Sequence, residues 1–114
     1  MRKVFVFLFI FVTIFSVAYA HPPKGIIITY DANTKMLKAV IVHNVSKPDN
    51  HFFKKVDIGI NGQEIIEHKI SRQDNNENQT AIYLIPDVKP QDKISVEAYC
   101  SISGKLEKEI EVKN

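Results

Sequence analysis

The sequence predicts an all-β domain, a seven-stranded antiparallel β-sandwich, on three observations. No stretch after residue 20 sustains a helical period. Polar turn clusters recur along the chain about every ten residues, the spacing of short strands. Between them, Val and Ile alternate with charged residues, as two packed sheets sharing one core require.

The elements follow in order. Gly25 to Tyr30 is a short apolar run that ends at the turn Asp31-Ala32-Asn33-Thr34-Lys35, and Met36 to His43 is the second strand. A polar loop, Asn44 to Asn50, contains Pro48 and precedes the third strand, Phe52 to Asn61. There Val56, Ile58 and Ile60 share one face while Lys55, Asp57 and Gly59 share the other, the pattern of a half-buried strand. Asn61-Gly62 is a strong hairpin signal, because both residues tolerate the positive φ of a type I′ turn. It leads into Glu64 to Ile70.

Ser71 to Asn78 is polar and rich in Asn, a loop by composition, and Thr80 to Ile85 resumes the strand pattern until Pro86 stops it. After the turn region around Pro86-Asp87 and Lys89-Pro90-Gln91-Asp92, residues Ile94, Val96, Ala98 and Cys100 alternate with Ser95, Glu97 and Tyr99. The turn at Ser103-Gly104 opens a last strand, with Leu106, Ile110 and Val112 opposite Glu107, Glu109 and Glu111. No internal repeat is visible.

The first 20 residues have the layout of a cleavable export signal: Arg2 and Lys3, an apolar core from Val4 to Phe15, and the small-x-small site Ala18-Tyr19-Ala20. That core, about 12 residues, is too short to cross a hydrocarbon layer of about 30 Å as a helix. Cleavage removes 20 of the 114 residues and leaves His21 to Asn114 as one exported domain, periplasmic or secreted. It also takes Arg2 and Lys3 from the 15 basic residues, which then balance the 13 acidic ones. With Lys and Glu interspersed in the remainder, no nucleic-acid surface is expected, and no membrane attachment after cleavage. The Asn-x-Ser/Thr triplets at Asn44 and Asn78 are read as chance.

A sandwich says nothing by itself about function. The sequence has no Gly-rich phosphate loop, no Gly-x-Ser-x-Gly elbow, no Cys-x-x-Cys and no Asp-rich calcium loop. Its scarce chemical residues are four histidines and one cysteine. Cys100 has no internal disulfide partner, so intermolecular pairing, a buried inert thiol and a metal thiolate all stand open. His43 ends the second strand and His51 begins the third, across a seven-residue loop. In an up-and-down antiparallel order, His21 before the first strand and Cys100 at the end of the sixth share that rim. Imidazoles and a thiolate converging there suit iron, copper or zinc. His68, in the middle of the fourth strand, is read as a surface residue.

Two segments carry a family resemblance. His43-Asn44-Val45-Ser46-Lys47-Pro48-Asp49-Asn50-His51-Phe52-Phe53, continuing to Gly62, resembles the His-Pro-Met…Lys-His-Tyr-Ile…Gly block of superoxide reductases, the desulfoferrodoxin and neelaredoxin family. Val96-Glu97-Ala98-Tyr99-Cys100-Ser101-Ile102-Ser103-Gly104 looks like that family's Glu-Tyr-Cys-Asn-Leu-His-Gly block. The resemblance covers essentially all of the chain after residue 20. It implies an immunoglobulin-like sandwich and one ferrous ion held by four equatorial histidines and an axial cysteine, with an open position for superoxide. His43, His51 and Cys100 match ligands of that set, and His21 falls close to the family's first histidine.

Three departures accompany the match. Ser103 stands where the fourth histidine would be, the loop between His43 and His51 is slightly longer, and the Glu-Lys pair ahead of the family's first histidine is absent. Lys24 and Lys47 are the candidates for the lysine that normally attracts superoxide and stabilises developing negative charge. An active protein of this kind needs an electron-donor protein. The alternatives are a copper or zinc carrier without turnover and a metal-free interaction module. Copper would be favoured if His21, as first residue, chelated through both its α-amine and its imidazole.

Overall fold

Strands whose side chains alternate between apolar and polar bury one face only by stacking sheet against sheet, and the computed structural model of the protein does so. It describes residues 25–113, so the expected export signal, His21 and Lys24 lie outside the described residues. The strands are β1 (Gly25–Asp31), β2 (Met36–Val42), β3 (Phe53–Ile60), β4 (Gln63–Lys69), β5 (Asn78–Leu84), β6 (Lys93–Cys100) and β7 (Lys105–Glu111). All pair antiparallel, in a three-stranded sheet ordered β1-β2-β5 and a four-stranded sheet ordered β4-β3-β6-β7. No helix occurs among the described residues.

This order is not the up-and-down arrangement expected from the sequence. The chain passes between the sheets after β2, β4 and β5, because each sheet can bury its apolar face only against the other. Antiparallel pairing nevertheless holds the expected ends together. Gly25 pairs with Val42 at one end of the small sheet, and Phe53 pairs with Cys100 in the large one.

The core lies between the sheets. Leu37, Ala39 and Ile41 from β2 face Phe53, Val56 and Ile58 from β3 and Ile94, Val96 and Ala98 from β6, all without solvent exposure. The outward face of β3 departs from simple alternation, since Asp57 is only 7 % exposed. As an inner strand of the sheet, β3 has its outward carboxylate covered by its neighbours. Lys55 Nζ stands 3.2 Å from Asp57 Oδ2 and 4.4 Å from the Tyr99 ring centroid. β4 is an edge strand with only Ile66 half-buried. It approaches β5 through His68 Nδ1, 2.9 Å from the Tyr83 hydroxyl.

The turns carry the conformations their residues favour. Asn61 and Gly62 have φ of 50° and 83°, the pair of positive values a type I′ hairpin needs. Gly104, at φ 91°, takes the left-handed position between β6 and β7. Lys35, at φ 62°, closes the β1–β2 turn by donating its backbone N–H to Asp31 O at 2.8 Å.

Replacing Leu37, which sits at the end of β2 remote from His43, removes core volume without touching the rim. Leu37→Ala is expected to destabilise the fold by about 2–5 kcal/mol, read as a lower urea midpoint with an unchanged slope. Burial pushes the Tyr83 phenol up to about 12. The native state therefore holds that proton beyond the ordinary pKa of 10.0. The stability associated with it is present below pH 10 and lost as pH rises through about 12, and an alkaline absorbance titration is expected to show two late-ionising tyrosines, Tyr83 and Tyr99, the latter pushed up to about 12 by its hydrogen bond with Glu97, of which Tyr83→Phe removes one.

Candidate metal centre

Three side chains converge where the fold brings the end of β2, the start of β3 and the end of β6 to one rim. His43 is the first residue after β2, and its backbone N–H donates to Glu77 O at 2.8 Å. Val45 N–H donates to Asn76 O, also at 2.8 Å, so the chain leaving β2 stays strapped to the segment before β5. His51 closes a turn in which the Lys47 carbonyl accepts the N–H groups of Asn50 at 3.0 Å and His51 at 2.9 Å. That turn delivers His51 two residues ahead of Phe53, the residue paired with Cys100. The strand end is held again beyond the pair, where Ser101 N–H donates to Phe52 O at 2.7 Å and Phe52 N–H donates to Ser101 Oγ at 3.1 Å.

His51 Nε2 lies 3.0 Å from Cys100 Sγ. The His43 and His51 rings meet edge to face with centroids 4.6 Å apart, and Phe53 packs against His43 at a tilt with centroids also 4.6 Å apart. One donor atom from each of His43, His51 and Cys100 lies within 4.8 Å of the other two. His43 is 1 % exposed and Cys100 2 %, while His51 is half-buried and faces the rim. Two imidazoles and a thiol are borderline-to-soft donors, the set that holds late first-row transition metals rather than calcium or magnesium.

The other expected residues divide. Lys47 is exposed on the loop between the two histidines, where its carbonyl shapes the turn that presents His51. Ser103 is exposed in the turn between β6 and β7. His68 lies outside the cluster, exposed on β4, as its mid-strand position predicts. His21 and Lys24 lie outside the described residues. A second convergence, Asp57, Glu64 and Glu67 on the outer face of the large sheet, contains only carboxylates, and Lys55 already supplies a positive charge there.

One residue of the site has no signal in the sequence. Gln73, within the Asn-rich segment before β5, is 3 % exposed, and its Oε1 lies 2.8 Å from His43 Nδ1. The segment reads as a loop by composition and is one, but it is internally fastened. Asp74 accepts from Gln79 Nε2 and Thr80 N–H, Gln79 accepts from Asp74 N–H, and Asn75 Oδ1 accepts from the N–H groups of Glu77 and Asn78.

The backbone as a whole has a counterpart among solved structures. It is similar to superoxide reductase. The crystal structure of superoxide reductase in the oxidised state matches 82% of this chain and 88% of that chain with a TM-score of 0.54, at 16% sequence identity. At that identity the likeness is one of fold. No family model matches the chain, and no curated protein matches its sequence.

Burial decides the state of the lone thiol. Cys100 is enclosed by its own domain and held beside His51, so a surface disulfide between molecules is not accessible to the folded chain. Maleimide labelling is expected to be slow in the native protein and to reach one equivalent per chain only in denaturant. Rapid labelling of the native state would contradict the buried placement.

Proposed function

We propose that the protein is an exported mononuclear iron protein that reduces superoxide, with His43, His51 and Cys100 as ligands and His21 completing the set. The observation that carries this reading is the convergence of two imidazoles and a thiol at one rim of a sandwich similar to that of superoxide reductase.

Gly25 is paired beside Val42 at the same rim, and His21 precedes it by four residues. The four residues back to His21 span up to about 13 Å when extended.

His43, His51 and Cys100 would hold a ferrous ion whose chemistry is the delivery of one electron, which with two protons from solvent would convert superoxide to hydrogen peroxide, an external donor protein restoring the ferrous state. Cys100, as a thiolate ligand, would lend negative charge to that centre and favour electron release. Burial of Cys100 and His43 keeps bulk water from the thiolate side, while half-exposed His51 marks the side open to small molecules. Lys47, on the loop between the two histidines, raises the local concentration of the superoxide anion through its field, and Lys24 is the second cation assigned to that role.

Protein beginning at His21, purified anaerobically, is expected to contain one iron per chain, to consume superoxide stoichiometrically when reduced, and to show an intense visible thiolate-to-iron band when oxidised. Cys100→Ser is expected to abolish the band, and His43→Ala or His51→Ala to lower the iron content. A colourless oxidised protein that retains iron would rule out Cys100 as ligand. Copper or zinc in place of iron, without superoxide turnover, would overturn the function proposed.

A further inference from the structure

We infer that Gln73 is a positioning residue that holds neutral His43 in its Nδ1–H tautomer and thereby assigns Nε2 as the metal-binding nitrogen. This rests on His43 being a ligand, but the hydrogen-bond logic that leads to it involves no metal.

The logic is one of elimination. The Gln73 side-chain amide touches three groups: His43 O at 2.8 Å, Asn75 O at 2.7 Å and His43 Nδ1 at 2.8 Å. Backbone carbonyls can only accept, so the amide atom facing both of them is the NH₂ group, which has two hydrogens and spends one on each. The opposite orientation would press an amide oxygen against two carbonyl oxygens. The remaining atom, Oε1, is an acceptor, and the only role left to His43 Nδ1 is donor. A neutral imidazole has one N–H, so the lone pair lies on Nε2. Two backbone oxygens, which cannot change their roles, thus decide the tautomer of a side chain.

The rest of the surroundings support a built arrangement. Gln73 N–H donates to Pro48 O at 3.3 Å, tying the residue to the loop between the two histidines. The Asp74–Gln79 clasp fixes the segment on the other side. Phe53 and His51 both pack against the imidazole ring with centroids 4.6 Å away, so the ring plane is restrained along with the tautomer. An acceptor on the far nitrogen makes the ligating nitrogen more basic and lowers the entropy lost on binding. Because Gln73 is a neutral amide, it does this without adding the negative charge a carboxylate would bring.

Long-range proton–nitrogen correlation of the histidine rings in the ¹⁵N-labelled, metal-free protein reads the tautomer directly. At pH above the histidine titrations, His43 is expected to show the Nδ1–H pattern, whereas exposed imidazoles in water favour Nε2–H. In Gln73→Met the pattern is expected to change to Nε2–H or to a tautomer average, and affinity for Fe(II), with Co(II) as a spectroscopic probe, to fall about 10–100-fold. Gln73→Glu keeps an acceptor for His43 Nδ1 but sets its second oxygen against the His43 and Asn75 carbonyls, so it is expected to lower the urea midpoint even where the Nδ1–H form persists. An Nε2–H pattern for His43 in the wild type would overturn the inference, as would Gln73→Met leaving both tautomer and affinity unchanged. The wild-type spectrum decides the tautomer even if the variants fail to fold. A wild type with His43 in the Nδ1–H form but no affinity for iron would refute the proposed function while sustaining the tautomer assignment.

Discussion

The pairing of Phe53 with Cys100 is the constraint on which the site depends. β3 and β6 are the two inner strands of the larger sheet, and their inward residues Val56, Ile58, Val96 and Ala98 are fully buried. A one-residue slip between them would turn the inward side chains of the slipped strand outward, so the core itself fixes the register. That register runs as far as Lys55 opposite Tyr99, and a bulge between Phe53 and Lys55 then shifts it by one residue, so that Cys100 meets Phe53 and lies beside His51, two residues earlier. The distance between the imidazole and the sulfur follows from hydrophobic packing deeper in the sandwich together with the bulge that re-registers the strand end.

His43 presents the opposite difficulty, because it lies almost wholly inside. A buried imidazole whose nitrogens lacked partners would be strongly unfavourable. The segment from Gln73 to Thr80 resolves this with amides and carbonyls rather than with charge. Gln73 meets the ring and the His43 carbonyl, Glu77 O receives the His43 N–H, and the Asp74–Gln79 clasp keeps the segment from drifting. The strap enters β5 directly, so the smaller sheet supports His43 while the larger one supports His51 and Cys100. The site therefore spans both sheets at their shared rim.

Most of the fold was legible in the chain. Alternation located seven strands to within about two residues, and Asn61-Gly62 and Ser103-Gly104 named their turns through the positive φ their backbones require. The exceptions have physical causes. β5 begins at Asn78, earlier than its apolar pattern starts, because Asn78 and Gln79 pair with Val42 and Ile41 despite being polar. Asp57 is buried on an outward face because β3 has a strand on either side, which alternation along a single strand does not reveal.

What the sequence by itself determined is the set of strands and the rim at which His43, His51 and Cys100 would meet, since antiparallel parity brings alternate strand ends together whichever way the sheets are ordered. What only the tertiary structure decided is the order of the strands, the closeness of imidazole to sulfur, and the part played by Gln73. Sheet order depends on which buried faces complement each other. Gln73 reaches His43 across 30 residues of chain through one hydrogen-bonded amide, and a contact of that kind leaves neither a period nor a spacing to be read.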